Sequence, residues 1–149
     1  LEPVQTFDFV YSLGFVEHFV NFQEVITKHI QLVSEGGILF IECPNFRGPV
    51  QHFLHRVFDK QNLQEHYLPA MDLTLWRKLL GLNHMEILYD GYYRTFDFWT
   101  DHRQSHSHLS RYIIRYIKRI GKKIDQVTDR PNFWTSPYLV SISRKKTGN

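Results

Sequence analysis

The sequence predicts an α/β domain, a mixed sheet flanked by helices, and three observations carry that expectation. Two continuous apolar runs, 7–12 and 38–41, are joined by roughly fifteen residues of helical periodicity, the pattern of a parallel βαβ unit with a right-handed crossover. A turn-rich cluster, Cys43-Pro44-Asn45-Phe46-Arg47-Gly48-Pro49, follows the second run directly, where open α/β sheets carry their loops. The last apolar segment, 136–143, alternates with period two, as an antiparallel strand does.

Each element has a local cause. Phe7 to Ser12 is rich in aromatic and β-branched residues and reads as a buried strand ending at the Leu13-Gly14 turn. Asn21, with Glu24 in the capping-box position, opens a helix whose face is Phe22, Val25, Ile26, His29, Ile30 and Val33; Gly36-Gly37 closes it. Ile38 to Ile41 is the second strand, ending near Glu42 because Pro44 biases its neighbour away from regular structure. Val50–Lys60 and Asp72–Leu80 are predicted helices, the second with Gly81 as terminator, and Met85–Tyr93 is the third strand. From His106, the residues Leu109, Tyr112, Ile113, Tyr116, Ile117 and Ile120 are spaced as one helical face, with Gly121 at its end. The strand 136–143 then precedes a polar tail.

Composition bounds the function. The 149 residues are 42% hydrophobic and 22% charged, enough for one core and too apolar for wholesale disorder, so 1–149 is read as a single domain. No apolar run approaches the ~18 residues of a membrane span, and LEPVQTFDFV lacks a basic, cleavable leader. The lone Cys43 forms no internal disulfide, which makes a soluble, cytoplasmic protein the expectation. A net charge of +3 is too small to imply a polyanion partner by itself, so the distribution of charge matters more. Arg111, Arg115, Lys118, Arg119, Lys122 and Lys123 make a basic side on the 107–123 helix, opposite its apolar stripe, that could meet an anionic membrane or nucleic acid.

Two contiguous segments carry a resemblance. Phe7-Asp8-Phe9-Val10-Tyr11-Ser12-Leu13-Gly14-Phe15-Val16-Glu17-His18-Phe19 resembles the fourth-strand motif of class I S-adenosylmethionine-dependent methyltransferases. Glu35-Gly36-Gly37-Ile38-Leu39-Phe40-Ile41-Glu42-Cys43-Pro44-Asn45 resembles the fifth strand and Pro-Asn exit of the same family. The family's glycine-rich loop and the acidic end of its second strand have no counterpart, since there is no Gly-x-Gly in the chain. The resemblance therefore implies a partial Rossmann-like methyltransferase fold, the C-terminal half of the domain, with strands equivalent to 4-5-7-6. Its edge at strand 4 would be open to self-association.

By the same resemblance, Ser12, Leu13 and Gly14 would wall S-adenosylmethionine, and Glu17 and His18 would start the next helix beneath it. Pro44 and Asn45 would border the acceptor, or Asn45 would make an Asx turn. His66, in the insertion expected to cover the acceptor, would be the general base for an oxygen nucleophile, unless it is a plain surface histidine. The acceptor would be a small molecule or a lipid- or sugar-linked group. Some quinone-pathway methyltransferases hold a metal with a further carboxylate three residues before the Glu; here that residue is Gly14. Glu17 and His18, on adjacent helical positions about 100° apart, are not expected to converge on an ion, and no metal is assigned. His102, His106 and His108 lack a completing ligand and read as a solvated polar segment. Phe133 and Trp134 are either a packing plug or an exposed anchor. The competing expectation is a non-catalytic interaction module built on the half-fold.

Overall fold

The computed structural model describes residues 5–101 and 105–148. Strands β1 (Phe7–Leu13), β2 (Val33–Pro44), β3 (Met85–Tyr93) and β4 (Tyr138–Lys145) form one sheet in the order β1-β2-β4-β3. β1 lies parallel to β2, while β2 and β4, and β3 and β4, are antiparallel. The mixed sheet with flanking helices is the one expected, and the order reproduces 4-5-7-6. The helices are α1 (Phe22–Gln31), α2 (Pro49–Phe58), α3 (Lys60–Gln64), α4 (Leu73–Leu82) and α5 (His108–Val127).

The main core is built from Ile26 and Ile30 of α1, Leu39 and Ile41 of β2, Trp76 and Leu80 of α4, and Leu139 of β4. Covering these side chains supplies about 1.5–3 kcal/mol each of transfer free energy. A smaller cluster of Leu54, Phe98 and Ile114 anchors α5 to α2. Among the described residues, no helix is long and apolar enough to cross a membrane.

Several local expectations need correction. α1 ends at Gln31 and β2 begins at Val33, so Gly36-Gly37 lies in the irregular start of the strand; the partners step from Phe7/Val33 to Phe9/Ile38, and Gly36 takes φ +76°. Asn21 does not cap the backbone, because its amide donates to Glu24 Oε2 at 3.0 Å. Gly81 and Gly121 fall inside helices. A Cβ on Gly121 would stand 2.3 Å from the Phe96 ring, so this glycine marks a close approach and not a stop.

β1 is not buried through its length. Phe9 is 57% and Tyr11 64% exposed, since the strand is paired on one side only. The α5 stripe also turns outward. The helix docks through Ile114, Ile117 and Gly121, and leaves Leu109, Tyr112, Ile113, Tyr116 and Ile120 exposed.

Candidate functional site

The carboxyl ends of β1 and β2 converge where Leu13 pairs with Glu42 and the Gly14 N–H donates to the Glu42 carbonyl at 3.0 Å. Gly14 turns the chain at φ +56°, a conformation that costs glycine nothing, into a short 3-10 turn, Val16–His18. Ser12 is buried, its hydroxyl without a partner among the described residues, whereas Leu13 and Gly14 are exposed.

Glu17 is fully buried, and among the described residues neither carboxylate oxygen has a hydrogen-bond partner. A Cβ on Gly14 would lie 3.6 Å from Glu17 Oε1, so the carboxylate sits directly against that glycine. The turn is held by the segment after α3, whose Tyr67 N–H donates to the Glu17 carbonyl at 2.6 Å. Burial pushes the Glu17 carboxyl up to about 7; the nearby Glu17 and Phe15 backbone, though it makes no full hydrogen bond to the carboxylate, opposes this in part, and the Glu42 carboxylate adds to it. Burial raises Glu42 as well. Cys43 is driven far up by burial and then by these two carboxylates, so its thiol stays protonated and inert.

His66 comes to this carboxylate from the other side. Its Nδ1 donates to the Asn62 carbonyl at 2.5 Å, and its Nε2 lies 4.0 Å from Glu17 Oε1. The imidazole is only 7% exposed, so it is not a surface histidine. Burial lowers its basicity, the Asn62 bond opposes this, and His18 and His55 lower it further. His18 packs ring to ring on His66 at 4.4 Å and sets its Nδ1 3.3 Å from the Glu65 carbonyl. One donor atom each from Glu17, His18 and His66 lie within 4.8 Å of one another. The expectation that Glu17 and His18 stay apart is thereby corrected: the two share a 3-10 turn rather than an α-helix, and His66 completes the group.

Pro44 is buried at the end of β2. Asn45 has its side chain fully engaged inside the protein. Its amide donates to the carbonyls of Phe133 (2.9 Å) and Ser136 (3.0 Å), and its Oδ1 accepts the Gly48 N–H at 3.2 Å, the Asx-type contact. It thus ties the loop after β2 to the segment before β4. Phe133 is half-buried against Tyr92 while Trp134 is 64% exposed, so the pair divides between plug and surface. His102 lies outside the described residues. His106 and His108 flank the start of α5 and do not join the Glu17 grouping.

A second cluster escaped the sequence reading. His55 and Asp59 are fully buried, with His55 Nδ1 donating to Asp59 Oδ2 at 3.1 Å and Nε2 without a partner among the described residues. Phe46 lies between His55 (4.2 Å) and His66 (4.9 Å), and Trp99 stacks on Tyr138 at 4.9 Å beside them. The i, i+4 spacing of His55 and Asp59 was the available signal; nothing local marks Glu42, Trp99 or Tyr138. A surface hollow of about 780 Å³ lies at the opposite end of the sheet, beside Glu35 and His84. A second, about 510 Å³, opens next to the loop after β2 and is lined by Arg47, His52, Leu68, Asp72 and Phe133.

No family model and no curated protein matches the sequence. Solved structures do resemble it. A candidate methyltransferase from Bacillus halodurans superimposes with a TM-score of 0.57 at 16% identity, over 97% of this chain and 67% of the other. An S-adenosylmethionine-dependent methyltransferase from Archaeoglobus fulgidus gives 0.53 at 16% identity, over 96% of this chain and 61% of its own. A candidate sarcosine dimethylglycine methyltransferase from Galdieria sulphuraria gives 0.53 at 13%, over 97% of this chain and 55% of its own. The chain thus spans about 55–67% of the length of these structures. At such identities the likeness speaks for the backbone alone, and it agrees with the strand order found independently: this chain has part of a class I methyltransferase-like fold.

Proposed function

We propose that the chain is the C-terminal part of an S-adenosylmethionine-dependent methyltransferase domain, supplying one wall of the cofactor site and most of the acceptor site. The observation that carries this is the junction of β1 and β2, where the left-handed Gly14 and exposed Leu13 lie above the buried Glu17, at the strand ends where open α/β folds take their ligands. Ser12, Leu13 and Gly14 would face the cofactor, with Glu17 and His18 beneath. S-adenosylmethionine supplies an electrophilic methyl group when bound.

The acceptor would approach past Pro44, over the loop that Asn45 holds in place. An oxygen nucleophile must lose a proton as it is methylated, and His66 is the base this reading assigns. Its Nδ1 proton is committed to Asn62, which leaves the Nε2 lone pair to take the acceptor's proton. Removing it should lower kcat by about 10²–10⁴ for an oxygen acceptor. The exposed stripe of α5 beside Arg115 and Arg119 favours a lipid-linked acceptor over a freely diffusing one.

Calorimetric titration with S-adenosylhomocysteine tests the reading, run on this chain and on a longer form extended upstream of Leu1. Binding by the longer form alone is expected. Binding by neither would refute it and favour the alternative, a non-catalytic module that associates through the open edge of β1.

A further inference from the structure

We propose that Glu17, His18 and His66 bind one divalent first-row transition ion of the zinc class, a site that goes beyond methyl transfer and does not depend on it. Two imidazoles and a carboxylate are a common zinc donor set, and two nitrogen donors select against the hard cations magnesium and calcium, which take oxygen.

The strongest observation is Glu17. A buried carboxylate whose two oxygens have no hydrogen-bond partner among the described residues carries a large desolvation cost, and a cation is the partner that would remove it. The second is the state of the two rings. Nδ1 of His66 and Nδ1 of His18 each face a backbone carbonyl, which can only accept, so both rings carry their proton there and keep the Nε2 lone pair for a ligand. Carbonyl partners of this kind orient metal-bound histidines.

The third is distance. His66 Nε2 lies 4.0 Å from Glu17 Oε1, and one donor atom from each of the three residues lies within 4.8 Å of the others, whereas donors bound at ~2.0–2.2 Å around a tetrahedral ion sit roughly 3.4 Å apart. Closing that gap takes an inward movement of less than about 1 Å per donor, and His18, though held by the Glu65 carbonyl and the His66 ring, is exposed to solvent and has room for a shift of that size. The site also has a floor and a mouth. Glu17 is buried, His66 is nearly so and His18 is at the surface, which gives an ion a route in and leaves a fourth position for water or an incoming ligand. The His66 lone pair serves a proton or an ion but not both, so metal occupancy and the base role assigned above exclude one another.

The test is calorimetric titration of metal-stripped protein with Zn²⁺, paralleled by the visible absorption of bound Co²⁺. One ion per chain is expected, with a Co²⁺ spectrum of low coordination number. Glu17→Gln, which keeps the side chain's size, and His18→Ala, at an exposed position, should each weaken binding by at least roughly 10–100-fold. His66→Ala should do the same, and His108→Ala, on the exposed start of α5, should change nothing. Circular dichroism establishes that each variant is folded, and His18→Ala keeps the test decisive if a buried variant is not. Zn²⁺ binding that survives Glu17→Gln and His18→Ala unchanged, or no saturable binding by the parent chain, would overturn the proposal.

Discussion

Gly48 shows how much one missing methyl group can position. A Cβ there would stand 2.5 Å from the Phe133 carbonyl oxygen and 2.6 Å from Asn45 Nδ2, and the first of these is backbone that cannot rotate away. Gly48→Ala is expected to cost about 1–3 kcal/mol and to loosen the contact between the loop after β2 and the 133–136 segment, read as a lower urea midpoint. Asp59 is the second residue whose effect can be signed. Burial raises its carboxyl, yet the bonds from His55, Asn62 and the Asp101 N–H outweigh that and hold it below the usual carboxylate range. A lowered folded value means the stabilisation is present above the unfolded pKa of about 3.9 and is lost as pH falls through the folded one. Asp59→Asn should therefore cost about 1–3 kcal/mol near neutrality and little in strong acid, so the two unfolding curves measured across pH should converge at the acid end.

At the scale of the element, β1 and α5 share a property: each is held on one side and leaves aromatic groups on the other. Phe9 and Tyr11 stack at 6.1 Å on the open strand. Tyr11→Lys should reduce any self-association seen by sedimentation while changing stability by no more than about 0.5 kcal/mol, because the side chain is mostly in water already. For α5, the exposed Leu109, Tyr112 and Tyr116 beside Arg111, Arg115 and Arg119 predict co-sedimentation with anionic vesicles and little with neutral ones. Tyr112→Ser combined with Tyr116→Ser should abolish that binding; retention on nucleic acid instead of vesicles would assign the basic side to a different polyanion. The strands were legible in the residues because glycine and proline bracket short apolar runs. The outward turn of α5 was not, since its spacing is the same whether a stripe meets a core or water, and the docked face is set by Ile114 and Ile117 packing on Leu54 and Phe98 and by the close approach of Gly121 to Phe96.

For the whole molecule, the strand order was implied by a family resemblance carried by two motifs at 7–45, and it matches the sheet found. The candidate site was half legible. Gly14, Glu17 and Pro44 lie within those motifs, but His18 meets the segment carrying His66 across 47 positions of chain, and no local pattern announces such a meeting. Trp99 and Tyr138 are likewise joined by packing alone. If the domain is completed by strands before Leu1, the longer form should unfold with a higher midpoint than this chain, because covering Phe9, Tyr11 and Leu13 adds apolar burial at about 25 cal/mol per Å². Paired urea denaturation of the two forms measures it, and equal midpoints would count against completion on that edge.

The place of β4 has a consequence for how the chain is made. β4 is the last of the four described strands and sits inside the sheet, pairing Leu39 with Ser143 and Ile87 with Ser143 on its two sides. During synthesis β2 and β3 are both complete long before their shared neighbour leaves the ribosome. At roughly 5–20 residues per second, the wait for β2 spans about 5–20 s. Through that interval the nascent chain presents unpaired strand edges on two segments at once, with the keystone still unmade. A stop codon placed just before Tyr138 would leave the sheet open at its centre, and would send the product to chaperones and proteases.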